Sequence, residues 1–319
     1  MAKEKQMDYK GQEPKFSWKY SIWTLFVLLI LGFFAVIIIS IVSGTDVDSI
    51  SGNVAVIPIE GAITGSSDSD SIFSSEASSL DIVKQIEKAD KNPNIKAIVL
   101  RINSPGGSAV ASEEIANAVK AVNKTTVAWI REVGASGAYW IASSSDHIIA
   151  SRVSITGSIG VISSYLEFDG LLNDYNVTYR RLVSGKYKDI GSPFKEMTQE
   201  EEQIFQKNLE EIRDVFVSEV ALNRHMNKKD VEKAANGLFY IGQEAKNLGL
   251  IDELGSKEEV VSYIEQKENI KAEFVEYKKE KGLLSLLSEV MSKQSFNVGK
   301  GIGSSLFDNR ESSAFSITT

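Results

Sequence analysis

The chain has 319 residues, 35 Lys plus Arg against 43 Asp plus Glu, a formal charge of -8 and a hydrophobic content of 43%. That supports a sizeable buried core and excludes a wholly disordered chain. With no cysteine there is no disulfide framework, thiolate metal site or thiol nucleophile; two histidines cannot supply an imidazole cluster, and no basic block points to a nucleic-acid partner.

Residues 22–42 form an almost continuous apolar run without a charge. As a helix it would span about 32 Å, close to the roughly 30 Å hydrocarbon layer of a bilayer. Trp18, Tyr20 and Trp23 sit where interfacial aromatics belong, and the first 20 residues hold five lysines and three acids. The expectation is an uncleaved single-pass anchor with a cytoplasmic segment 1–21, a linker 43–52 and everything beyond on the extracytoplasmic side.

The body reads as alternating strands and helices from 53 to 281. Asn53 to Glu60, Ala97 to Ile102, Thr126 to Val133 and His147 to Ala150 are expected strands, with Tyr179 to Val183 and Lys271 to Tyr277 as further ones. Helices are expected at Leu80 to Ala89, Ser108 to Ala121, Ser136 to Ser144, Lys228 to Ala235 and Gly242 to Asn247, and again up to about Gln266. Thr198 followed by Glu201 predicts a capping box at the start of a long helix through Asn223. Gly61 to Ser79 is rich in small polar residues and reads as a loop. Residues 282–319 read as a tail, a small apolar patch followed by a partly disordered Gly/Ser-rich end. The βαβ alternation favours a largely parallel sheet covered by helices.

Two turns carry candidate chemistry. Gly134-Ala135-Ser136-Gly137-Ala138-Tyr139-Trp140 places a serine between small residues at a helix start, where it serves either as an exposed nucleophile or as a helix cap. Ser104-Pro105-Gly106-Gly107 follows a strand and offers backbone N–H groups to a developing oxyanion, or is a plain turn. Neither matches a phosphate-binding loop, a dinucleotide fingerprint or a Gly-x-Ser-x-Gly elbow. His147 enters an apolar strand and His225 lies at a helix end, poor settings for a general base. A desolvated lysine is the alternative, and Lys186 and Lys188 share one face of an extended segment, so alternation does not choose between them.

In order and spacing these turns, with the anchor, the stretch 154–161, Ser184-Gly185-Lys186-Tyr187-Lys188-Asp189 and the stretch 245–254, resemble the signal peptide peptidase A-type (SppA-like) serine proteases. The resemblance covers roughly residues 52–265. It implies an α/β fold of the ClpP/crotonase group behind an N-terminal transmembrane helix, and a Ser–Lys dyad with Ser136 as nucleophile and Lys188 as base. By motif position Ser158 orients the lysine amine, Gly107 supplies an oxyanion-hole donor and Gly137 a second one. No cofactor or metal is implied. The resemblance further implies a homo-oligomer with active sites shared between subunits, acting at the membrane on cleaved signal peptides and other extended peptides. A crotonase-like acyl-CoA enzyme and a catalytically silent membrane scaffold are the alternatives.

Overall fold

The computed structural model describes residues 18–44, 52–66 and 76–277. The chain divides into two units, one holding the N-terminal helix and the other spanning Ser51–Glu280. In the first, α1 (Trp18–Gly44) is one uninterrupted helix of 27 residues over the expected apolar run. Most of its described side chains, Trp23, Phe26, Leu29 and Phe33 among them, are exposed. The side chains of 19–21 and 36–44 lie outside the described residues, and among the described ones no helix is long and apolar enough to cross a membrane. The cytoplasmic segment as far as residue 17, most of the linker 43–52 and the tail 282–319 also lie outside them.

The second unit runs β1 (Val54–Glu60), β2 (Ala62–Thr64), β3 (Glu76–Ser78), α2 (Ser79–Lys91), β4 (Ala97–Ser104), α3 (Ala109–Lys120), β5 (Thr125–Ala135), α4 (Gly137–Ser143), β6 (His147–Ala150) and β7 (Ile155–Gly157). It continues with α5 (Asp169–Asp174), α6 (Gln199–Asn223), α7 (Lys228–Ala234), β8 (Phe239–Ile241), α8 (Gly242–Asn247), β9 (Glu253–Leu254), α9 (Lys257–Glu268) and β10 (Phe274–Glu276). The main sheet has the order β10-β1-β4-β5-β6-β9, every pair parallel. β7 joins the far end of β5 in parallel, and β8 pairs β7 antiparallel, so the α/β fold carries a mixed sheet.

Residues of period two on the central strands face opposite ways, which divides the core. Ala55, Ile57, Ile59, Ile98, Leu100, Ile102, Ala128 and Ile130 pack with α2, α3, α4 and α6 on one face. Val54, Val56, Ala97, Val99, Val127 and Ile149 pack on the other against Val260 and Ile264 of α9. Both faces are covered, which explains why these strands read as near-continuous apolar runs. The helices start where their caps dictate. The Ser78 side chain accepts from the Asp81 N–H at the head of α2, and Thr198 and Glu201 form the expected reciprocal capping box at α6.

Two sequence expectations need correction. Tyr179 to Val183 is not a strand: no edge pairs with it, and Leu182 is 98% exposed. Alternating β-branched and aromatic residues make a strand only where a neighbour accepts their backbone bonds. Gly61 to Ser79 is not simply a loop, because β2 and β3 pair within it. β8 was not foreseen; three residues between turns carry too little periodicity to register.

A partly buried ion pair fastens the end of α6 to the β9 region. Arg224 donates to both Asp252 oxygens, at 2.8 and 2.6 Å, while the Ile148 N–H donates to Asp252 at 2.8 Å. Burial pushes the Asp252 carboxyl up, but the Arg224 bonds and charge together with the Ile148 N–H outweigh it and hold the group below its ordinary value. A depressed carboxyl contributes stability above its unfolded pKa, about 3.9, that is lost as pH falls through the lower folded value. Urea midpoints of the wild type are therefore expected to drop on acidification below about pH 4, and Asp252→Asn to be less stable at neutral pH with a flatter acid limb. Deeper in the core, Leu100→Ala is expected to cost about 2–5 kcal/mol in the same titration.

Candidate active site

The site is built where β4 and β5 end side by side. Their register shifts between Ile102 and Ser104, so that Ser104 lies opposite Gly134. The turn after each strand is thereby brought against the other. Gly106, at φ 100°, is where they meet: a Cβ there would lie 2.8 Å from the Ala135 oxygen, the Gly137 nitrogen and the Ser136 Cβ. Glycine meets both demands, the positive φ and the missing side chain. The Ser104 hydroxyl accepts from the Gly106 N–H at 3.1 Å and fixes the turn from inside.

Ser136 has φ 54° and ψ -127° and makes no side-chain cap bond to α4. The helix-cap alternative for this serine is thus not the one realised. A non-glycine residue in such a conformation costs on the order of 1–3 kcal/mol and persists only where its surroundings over-determine it. Here they do. The Ser136 N–H donates to the Gly157 carbonyl at 2.8 Å, and its own carbonyl accepts from Tyr139 and Trp140 at 2.9 and 3.1 Å. Thr156 adds a buried bond from its hydroxyl to the Gly134 carbonyl at 2.8 Å. The serine stands half-buried on a rigid corner with its hydroxyl uncommitted among the described residues.

Gly107 is held by an isolated parallel bridge to Ile63, in which the Ile63 N–H donates to Gly106 and the Ser108 N–H to Ile63, both at 2.9 Å. In a parallel bridge the opposite residue turns its own N–H and C=O away from the partner. The Gly107 N–H accordingly has no acceptor among the described residues, and Gly107 is exposed. A Cβ at Gly107 would overlap the Ile63 carbonyl, and one at Gly137 would overlap the Ser112 hydroxyl. Gly137 opens α4, where a first-turn N–H has no intrahelical acceptor. The two glycine backbones approach closely: the Gly107 nitrogen lies 3.5 Å from where a Gly137 Cβ would be.

Ser136, Gly107, Gly137 and Ser158 all line one cavity of about 760 Å³, with Trp140 and Phe216, whose rings stack at 4.9 Å, along its wall. Ser158, at φ 51°, donates from its hydroxyl to the Gly237 carbonyl at 3.3 Å. Lys188 is not among the lining residues. It lies exposed in the irregular segment between α5 and α6, with no side-chain partner among the described residues. Lys186 is committed elsewhere. Its ammonium donates to both Glu200 oxygens at 2.8 and 2.6 Å, and those bonds, followed by the Tyr187 hydroxyl, raise its pKa and keep it charged. Asp189 forms a two-pronged pair with Arg181, not with Lys188. Neither histidine lines the cavity: His147 stacks on Tyr263 at 3.9 Å beside Glu253, and His225 is an exposed turn residue at φ 53°. Ile212, Arg213 and Phe216 of α6 also line the cavity and were not singled out from the sequence, where they read only as positions in a long periodic helix.

Small-residue turns that strain one serine against free backbone donors define a site suited to acyl transfer. Residues 118–271 match the family model described as peptidase family S49, a span that includes Ser136, Gly137, Ser158 and Lys188 and begins after Gly107. A Methanocaldococcus jannaschii protein described as a putative protease is 37% identical over 230 residues, 70% of this chain and 73% of that one. An Enterococcus faecium protein described as a putative signal peptide peptidase SppA is 31% identical over 226 residues, 70% of this chain and 66% of that one. A solved ClpP protease catalytic domain from Plasmodium falciparum covers 63% of this chain and 84% of its own at 15% identity and a TM-score of 0.41, a likeness too loose to carry an argument. The chain belongs to peptidase family S49 and is a serine-type peptidase.

Because an alanine methyl at Gly107 displaces either Ile63 or the turn, Gly107→Ala is expected to lower turnover about 100-fold or more, the scale of one lost oxyanion donor. Rates on an unfolded protein substrate, read beside circular dichroism to confirm a retained fold, check this; undiminished turnover contradicts the arrangement.

Proposed function

We propose that the protein is a membrane-anchored endopeptidase that cleaves extended peptides, cleaved signal peptides among them, by a Ser136–Lys188 dyad whose two members come from neighbouring subunits. The observation that carries this reading is the strained Ser136 beside the free Gly107 N–H in a cavity lined by no lysine or histidine among the described residues. A base is needed, and the cavity lining among the described residues does not supply one. Lys188 is exposed and has no side-chain partner among the described residues, whereas Lys186 is tied to Glu200, which favours Lys188 as the residue delivered to another copy. The segment around Lys188 exposes Ile162, Leu166, Tyr175 and Leu182, an apolar surface suited to contact between copies. Membership of a peptidase family removes the acyl-CoA alternative, and the uncommitted Ser136 hydroxyl argues against a silent scaffold.

In the proposed cycle a neutral Lys188, desolvated at the subunit boundary and oriented by Ser158, takes the Ser136 proton as the serine oxygen attacks the peptide carbonyl. The Gly107 and Gly137 N–H groups receive the oxyanion. Protonated Lys188 then donates to the departing amine, and the same group activates the water that releases the acyl-enzyme. An extended peptide suits the site because its backbone can pair with a strand edge. The apolar α1, with lysines before it, supports an anchor with a cytoplasmic N-terminus and an extracytoplasmic catalytic unit.

Ser136→Ala and Lys188→Ala are each expected to abolish cleavage, and Lys186→Ala to retain most of it. Mixing the two inactive variants under conditions of subunit exchange is expected to restore activity, since some sites then pair an intact serine with an intact lysine. A mixture that stays dead despite demonstrated exchange contradicts the shared dyad.

A further inference from the structure

Among the described residues, the cavity beside Ser136 is lined by one cation and no carboxylate. Its lining includes Arg213 of α6, half-buried, and no Asp or Glu among the described residues. Arg213 donates through Nε and Nη2 to a single acceptor, the Ala235 carbonyl at the end of α7, at 3.0 and 2.6 Å. Both bonds use the same side of the guanidinium. The Nη1 side has no acceptor among the described residues, and Arg213 has no ion-pair partner there, whereas Arg224 at the C-cap of the same helix is matched by Asp252 through two bonds.

We infer that Arg213 recognises a carboxylate on the substrate peptide close to the bond that is cut. The inference rests on the peptidase reading and adds a substrate class to it. A guanidinium is a planar fork whose two-pronged match is a carboxylate. With one side pinned to Ala235, the plane of the fork is fixed before substrate arrives, so little conformational freedom remains to be lost on binding. The apolar wall of Trp140 and Phe216 lowers the local polarity around the pair and strengthens it relative to one in open water. Peptides released by an earlier hydrolytic cut carry such a group at their new C-terminus; a Glu or Asp side chain inside a longer peptide offers the same chemistry. Capping of α7 by Arg213 accounts for the Ala235 bonds, but it leaves unexplained why a cation lines the cavity with three of its five N–H donors unused among the described residues.

The test separates recognition from catalysis. Ser136→Ala protein in its assembled form is titrated with two pairs of short apolar peptides, one ending in a carboxylate or in an amide, the other carrying an internal Glu or Gln. At least one charged peptide is expected to bind about tenfold or more tightly than its neutral twin, the scale of a charge-assisted bond, and the pair showing it identifies the source of the carboxylate. Adding Arg213→Gln to Ser136→Ala is expected to bring that ratio close to one, and Arg213→Lys to leave an intermediate value. Equal binding within both pairs, or a preference that survives Arg213→Gln, overturns the inference even where the wild type cleaves every peptide. Conversely, a preference that vanishes with Arg213→Gln upholds it even where Lys188→Ala proves active and the dyad assignment fails.

Discussion

Everything at the site depends on how closely the turn after β4 approaches the turn after β5. Gly106 fills that gap with nothing but a hydrogen where a side chain would strike Ser136 and Gly137 together. The contact holds Ser136 in a backbone conformation that an isolated chain would abandon, and the bond from the Ser136 N–H to Gly157 closes the restraint from the other side. Strain of this kind is stable only because β4 and β5, buried on both faces, cannot yield.

The same contact sets the rigid part of the site apart from the segment that carries Lys188. Serine, glycine donors and cavity wall all belong to elements anchored in the core. Lys188 belongs to an exposed segment between α5 and α6 whose residues find no strand edge and bury little of their apolar surface. Under the proposed function Lys188 acts only once assembly brings it beside another copy's serine. Activity would then be tied to assembly, which limits hydrolysis by stray subunits.

The strands on both core faces were legible because burial on two sides leaves an uninterrupted apolar run, and β6 and α8 were read to the residue. The α6 capping box was legible because it is a local device that needs no tertiary information. Tyr179 to Val183 misled for the opposite reason: its composition is that of a strand, and only the absence of a partner edge decides otherwise. At the site, sequence could offer Ser136 as nucleophile or cap, and what sets the cap aside is a φ angle and an unmade bond that no spacing reports. Arg213 was invisible because its interest comes from having no carboxylate partner among the described residues, and that shows only once the neighbours are in place.

The distance from the Lys188 Nζ to the nearest Ser136 Oγ in the assembled protein is the most direct measure of the account. A structure of the intact oligomer is predicted to put these atoms within hydrogen-bonding reach, about 2.6–3.2 Å, with the two residues on different chains. Assemblies in which every Lys188 amine remains in solvent, with another basic group against Ser136, would contradict it.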